Sequence, residues 1–156
     1  MTSQPSSPRS FPQALACAGR GLRYAARTQR HFRVQLIIAA AALVFSAWAG
    51  LPSVEIALLA VTATLVLAAE LLNTAVEMLT DLLHPGRGPA AAAVKDVAAG
   101  AVMLAAGVAV AVGLLLFFPR LGGVSHVTAR SISLVLAALC LIILVAGSAR
   151  PPRSQR

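Results

Sequence analysis

A chain of 156 residues that is 58% hydrophobic and only 12% charged excludes a soluble globular domain, which at this size needs a larger charged surface. Its net charge of +8 is carried by arginines that flank apolar runs, which excludes nucleic acid as the main partner in favour of a membrane with basic cytoplasmic flanks. The two cysteines, Cys17 and Cys140, are too few and too far apart for a disulfide framework.

In chain order, residues 1–10 are polar, contain two prolines and read as a disordered tail. Residues 11–33 read as one amphipathic helix. Arg20, Arg23, Arg27 and Arg30 fall within about 80° of one another on a helical wheel, opposite Phe11, Leu15, Ala18 and Leu22. A basic face opposite an apolar one predicts a helix lying in the membrane interface. The first span is expected over 34–50, with Trp48 as an interfacial aromatic near its far end. The first apolar run lies behind a long basic segment, so no signal peptide is expected. A tight turn follows at 50–53, with Ser53 as the expected N-cap.

The second helix is predicted from 53 to about 83, roughly 46 Å long, against a hydrocarbon core of about 30 Å. Its last turns should emerge from the bilayer. Glu55, near its start, reads as a solvated charge. The segment HPGRGPA at 84–90 breaks the helix. A third helix is predicted from Pro89 or Ala90 to Pro119, then a linker and a fourth apolar run over 131–147. The expected organisation is a core over 11–118, a linker with an additional transmembrane helix over 119–149, and a basic tail over 150–156. The fold class is all-α integral membrane: an N-terminal surface helix, three core spans and a fourth C-terminal span. Four spans place 11 of the 13 basic residues on one side, which predicts a cytoplasmic N-terminus, 84–95 loop and C-terminus in a bacterial inner membrane.

The chemistry gathers at the end of the second helix. Glu70, Asn73, Glu77 and Asp81 fall within about 80° on a stripe roughly 16 Å long. Carboxylates at a membrane edge are costly, and so mark functional candidates. Glu70 and Glu77 stand two turns, about 10 Å, apart, too far to clamp one ion together. A division of labour fits better: a base near the bilayer and a metal ligand further out. Lys95 and Asp96 lie in the first turns of the third helix, where backbone N–H groups favour an anion. The Gly86-Arg87-Gly88 turn offers backbone for close approach to a phosphate, although it is no Walker loop. His31, His84 and His126 show no metal-ligand spacing.

These residues carry a resemblance. ELLNTAVE at 70–77 with Asp81, then KDVAAGAV at 95–102, and the upstream GLRYAARTQRHFR at 21–33, resemble the small prokaryotic diacylglycerol kinase and undecaprenol kinase family over about residues 11–118. The resemblance implies a homotrimeric membrane kinase that transfers the γ-phosphate of ATP, with Mg²⁺, to a lipid hydroxyl at the cytoplasmic surface. It implies that Glu70 is the catalytic base and that Glu77 binds the metal. It makes Asn73 a polar position of the motif, and Lys95 and Asp96 nucleotide contacts. Gly86, Arg87 and Gly88 match a loop near the nucleotide in position rather than in sequence. Two departures stand out. Gln29 occupies the place of a second metal-binding Glu in the family pattern, and the fourth span is absent from the three-span family core. The lipid, diacylglycerol or undecaprenol, stays open; KDVAAGAV leans slightly toward the undecaprenol type. Two rivals remain. One is a weak or inactive family member, supported by Gln29 alone. The other is a four-span proton-coupled transporter built on Glu70, which leaves Glu77, Asp81, Lys95 and Asp96 unexplained.

Overall fold

Helix α1 covers Phe11–Thr28, α2 Arg30–Trp48, α3 Ser53–Leu83 and α4 Pro89–Phe117, and a single 3-10 turn over Phe118–Arg120 follows. This computed structural model describes residues 10–86 and 88–120, among which there is no strand. Helices α2, α3 and α4 are each long and apolar enough to cross a membrane. The expected all-α membrane class holds. The expected fourth span over 131–147, the linker before it, the basic tail and Arg87 lie outside the described residues, as does the expected disordered tail up to residue 9.

Helix α1 starts at Ser10, whose backbone N–H donates to Gln13 Oε1 at 3.1 Å, with Pro12 in the first turn where no N–H is needed. It does not continue to residue 33 as expected. Gln29 adopts an extended backbone (φ −99°, ψ 113°) and is at once the C-cap of α1 and the N-cap of α2. No glycine or proline causes this break. The change of surroundings does: a straight continuation would carry the arginine face of α1 into hydrocarbon. The broken ends are satisfied locally. Gln29 N–H donates to Ala25 O at 2.8 Å, the Thr28 hydroxyl to Tyr24 O at 2.9 Å, and the Arg33 guanidinium to Arg27 O at 3.5 Å. Phe11 and Leu15 on the apolar face of α1 remain exposed, while Ala25 is buried against the bundle.

At the other end of α2, Gly50 takes φ +67°, the one positive φ among the described residues. Leu51 N–H donates to Ser46 O at 3.0 Å and Gly50 N–H to Ala47 O at 3.2 Å, a Schellman closure that needs a residue free to enter the left-handed region. Leu51 then tucks in beside Leu59 and Leu116, with Leu43 and Ile56 packed around them. Helix α3 is capped by Pro52 rather than by the expected Ser53, which is its first helical residue. The Pro52 carbonyl accepts the N–H groups of Glu55 and Ile56 at 2.9 and 3.1 Å.

Helix α3 packs most extensively on α4, next on α2, and α1 touches both α2 and α3. The two ends of this bundle are hereafter the turn end (residues 49–52) and the loop end (residues 84–88). Few side chains are fully buried, and large apolar ones such as Ile37, Val44, Leu65, Leu72, Val97 and Val110 coat the outside. This is the pattern expected where the solvent is lipid. Inward-facing hydroxyls are satisfied on their own helices: Ser46 donates to Leu43 O and Thr62 to Leu58 O, each at 2.7 Å. Glu55 is not solvated as the sequence suggested. Its carboxylate lies 2.7 Å from the Arg120 guanidinium, with each side chain about 30% exposed. Arg120 also donates to Leu116 O at 2.6 Å, so one side chain ties the end of α4 to the start of α3. Between the ends, a crevice of about 280 Å³ opens among α2, α3 and α4, floored by small residues such as Ala39, Ala63, Ala106 and Gly113.

Candidate active site

The acid stripe and the inner face of α3 are one and the same. Burial along α3 recurs at Leu59, Thr62, Val66, Glu70, Thr74 and Thr80, a helical repeat that turns the stripe inward. Leu72 and Leu79, on the opposite face, are 68% and 56% exposed and point to lipid. The polarity of a soluble amphipathic helix is thus reversed. Thr74 donates its hydroxyl to Glu70 O at 2.9 Å and Thr80 to Val76 O at 2.7 Å, so neither competes for the carboxylates.

Along the stripe, exposure rises toward the loop end. Glu70 is only 5% exposed and forms no ion pair among the described residues. Asn73 and Glu77 are half-buried, and Asn73 Nδ2 donates to Glu77 Oε1 at 3.0 Å. Asp81 has a side chain 66% exposed. Helix length sets the depth of each. With the start of α3 at the membrane surface, Glu70 lies about 26 Å along the axis and Glu77 about 36 Å, either side of the edge of a core of about 30 Å.

The neighbouring elements come to the same end. Counting roughly 1.5 Å per residue from their shared turn, Gln29 and Asn73 both lie about 30 Å up their antiparallel helices. Gln29 is half-buried at the α1–α2 break. Counting inward from the loop, Glu77 on α3 and Lys95 on α4 are both about 9 Å deep. Lys95 Nζ reaches Asp81 Oδ1 at 2.5 Å. The spacing argument foresaw neither this partnership nor any role for Asp81. The signal available was two opposite charges flanking one loop. Asp96, beside Lys95 in sequence, is exposed and makes no ion pair among the described residues. Gly88 is the N-cap of α4, and a Cβ at Gly86 or Gly88 would meet nothing within 4 Å, so this loop backbone is open to approach.

The donor set suits a hard divalent cation such as Mg²⁺. Glu77 supplies charge, and Asn73 Oδ1 is a buried acceptor with no partner among the described residues. No group of three or more His, Cys, Asp or Glu side chains gathers among the described residues. An ion held at Glu77 would therefore draw its remaining ligands from neutral oxygens, water and substrate phosphates, the usual habit of Mg²⁺.

A family model described as prokaryotic diacylglycerol kinase matches residues 16–117, all of α2, α3 and α4 and most of α1. The undecaprenol kinase of Bacillus subtilis is 37% identical over 111 residues, 71% of this chain and 90% of that protein. A diacylglycerol kinase of Synechocystis sp. is 42% identical over 102 residues, 65% of this chain and 58% of that longer protein. The match runs through the surface helix, the three membrane-spanning helices and the inward acid stripe, and on that ground the chain belongs to the prokaryotic diacylglycerol kinase family.

Proposed function

We propose that this protein is an ATP-dependent lipid kinase that phosphorylates the hydroxyl of diacylglycerol or undecaprenol at the cytoplasmic surface of a bacterial inner membrane. The observation that carries the reading is the graded stripe: a buried Glu70 at the hydrocarbon edge, then Asn73–Glu77, with Lys95 level with Glu77 on the facing helix. A lipid hydroxyl anchored by its tail stays at the depth of Glu70. A water-soluble polyphosphate arrives from the side of Glu77 and Lys95.

In this mechanism Glu70 accepts the hydroxyl proton as the lipid oxygen attacks the γ-phosphorus. The bond from that phosphorus to the β–γ bridging oxygen breaks, ADP departs, and Glu70 returns its proton to water. Positioning and charge neutralisation supply most of the rate. Mg²⁺ supplies neutralisation of phosphate charge when bound. Glu77 would hold it, with Asn73 steering the Glu77 carboxylate and Gln29 offering a neutral oxygen from the α1–α2 break. Lys95 meets phosphate oxygens, Asp96 a nucleotide hydroxyl, and the open backbone at Gly86 and Gly88 is near the nucleotide. The thin bundle, with few buried side chains, is consistent with a homotrimer in which neighbouring copies complete each site. Predominantly basic flanks at the loop end support its cytoplasmic placement.

The test is phosphate transfer from γ-labelled ATP in vesicles containing the purified full-length protein, with diacylglycerol and undecaprenol offered side by side. Labelled lipid that depends on protein, ATP and Mg²⁺ supports the reading, and the preferred lipid fixes the substrate. Proton-coupled solute uptake without any labelled lipid would move the assignment to a transporter.

A further inference from the structure

Asp81 is the one carboxylate of the stripe left without a part in the chemistry above. It is joined to the chain's single lysine across the two helices that flank the loop, Nζ to Oδ1 at 2.5 Å. Side-chain exposures of 35% for Lys95 and 66% for Asp81 make this a solvent-screened pair that contributes little to stability. The ion pair at the turn end is built differently. Arg120 commits its guanidinium to both Glu55 and Leu116 O, and that fork is spent on structure. A lysine ammonium is a compact charge with three donors. Asp81 takes one of them, and two remain for other oxygens. The Lys95 backbone is level with that of Glu77, and the ammonium sits one turn nearer the loop, beside Asp81, while Glu77 is held by Asn73 at 3.0 Å.

We propose that Asp81 is a positioning residue: it fixes the Lys95 ammonium so that its free donors face the phosphates of the nucleotide. The proposal rests on the reading of Lys95 as a phosphate contact. Asp81 acts on a bound polyphosphate in two opposed ways. Its charge repels the anion, which loosens binding. Its hold on Lys95 removes freedom from a long flexible side chain, which favours the geometry of transfer. Removing the charge separates the two effects, because binding tightens while turnover falls, the pattern of an interaction that costs ground-state affinity.

The experiment uses the full-length protein in lipid nanodiscs, with a non-hydrolysable ATP analogue plus Mg²⁺ as the binding probe and lipid phosphorylation as the kinetic one. Asp81→Asn is expected to bind the analogue about threefold more tightly, the size of one screened like-charge contact. Its kcat is expected to fall about tenfold, and KM for ATP to fall with it. Asp81→Glu should restore most of kcat, since a carboxylate one methylene longer still reaches the ammonium. In a Lys95→Ala background, Asp81→Asn should leave kcat unchanged while analogue binding still tightens, since the repulsion acts without the lysine. Weaker analogue binding in Asp81→Asn overturns the proposal, since Asp81 would then hold the nucleotide or its metal directly. Unchanged kcat, or the same fall in kcat without Lys95, overturns it as well. The function reading fails separately: an unaltered chain that neither binds the analogue nor phosphorylates lipid removes that reading and the positioning role together.

Discussion

The turn end and the loop end are made of the same kinds of part and use them differently. Among the described residues each has one interhelical ion pair, Glu55–Arg120 at 2.7 Å and Asp81–Lys95 at 2.5 Å. At the turn end the pair is half-buried, the glycine closes a Schellman motif, and leucines pack beneath it. At the loop end the pair is more exposed and, among the described residues, Asn73 Oδ1 has no partner, Glu70 is buried without an ion pair, and a Cβ at Gly86 or Gly88 would meet nothing. One end is completed by its own chain. The other keeps its oxygens and donors for something the chain does not supply. Unpaired buried polar groups in lipid are costly, so the contrast supports the loop end as the place where ligands go.

The contrast can be broken most sharply at Glu70. Glu70→Gln should lower lipid phosphorylation by at least about a hundredfold, the range of a lost general base, with helical content and melting unchanged. Full turnover in that variant would falsify the assignment of the base. Glu77→Gln should raise the Mg²⁺ concentration needed for half-maximal binding of an ATP analogue on the order of tenfold, because a neutral amide holds the ion less well. A superimposable Mg²⁺ titration would argue against a metal role at this position. The turn end should respond in stability alone. Arg120→Ala, which leaves the half-buried Glu55 without its partner, should cost about 1–2 kcal/mol in denaturation from detergent micelles while KM for ATP stays put. A changed KM there would mean that the ends are not separate. The smallest effect is expected from Gly50→Ala, about 1 kcal/mol from the left-handed backbone, again without change in turnover.

The helices were legible where the chain punctuates itself. Pro52 and the Pro85–Pro89 stretch, with its two glycines, bracket a stretch free of glycine and proline, and α3 begins and ends there. The break at Gln29 had no such mark, because it reflects a change of surroundings rather than a local preference. The stripe was legible from helical spacing, yet its inward direction was not, since that depends on which face α4 and α2 cover. Ion-pair partners depend on the same packing. Glu55 meets Arg120 from the far end of α4, and Asp81, not Asp96, holds Lys95. At the site, residue identities were readable and their mutual contacts were not.

The Glu55–Arg120 tie has a consequence for biogenesis. On the proposed cytoplasmic placement of the loop end, ribosomal synthesis delivers the α2–α3 hairpin first, and Glu55 crosses the bilayer beside a short turn that carries no cation. Its partner is still unmade at that moment. Arg120 arrives only when α4 has been translated and threaded outward. The pair therefore closes as the last event of insertion for these three helices, and once closed it opposes the retreat of α4 through the membrane. A side chain pair that looks like a simple clamp in the finished protein is, in order of assembly, a latch on topology.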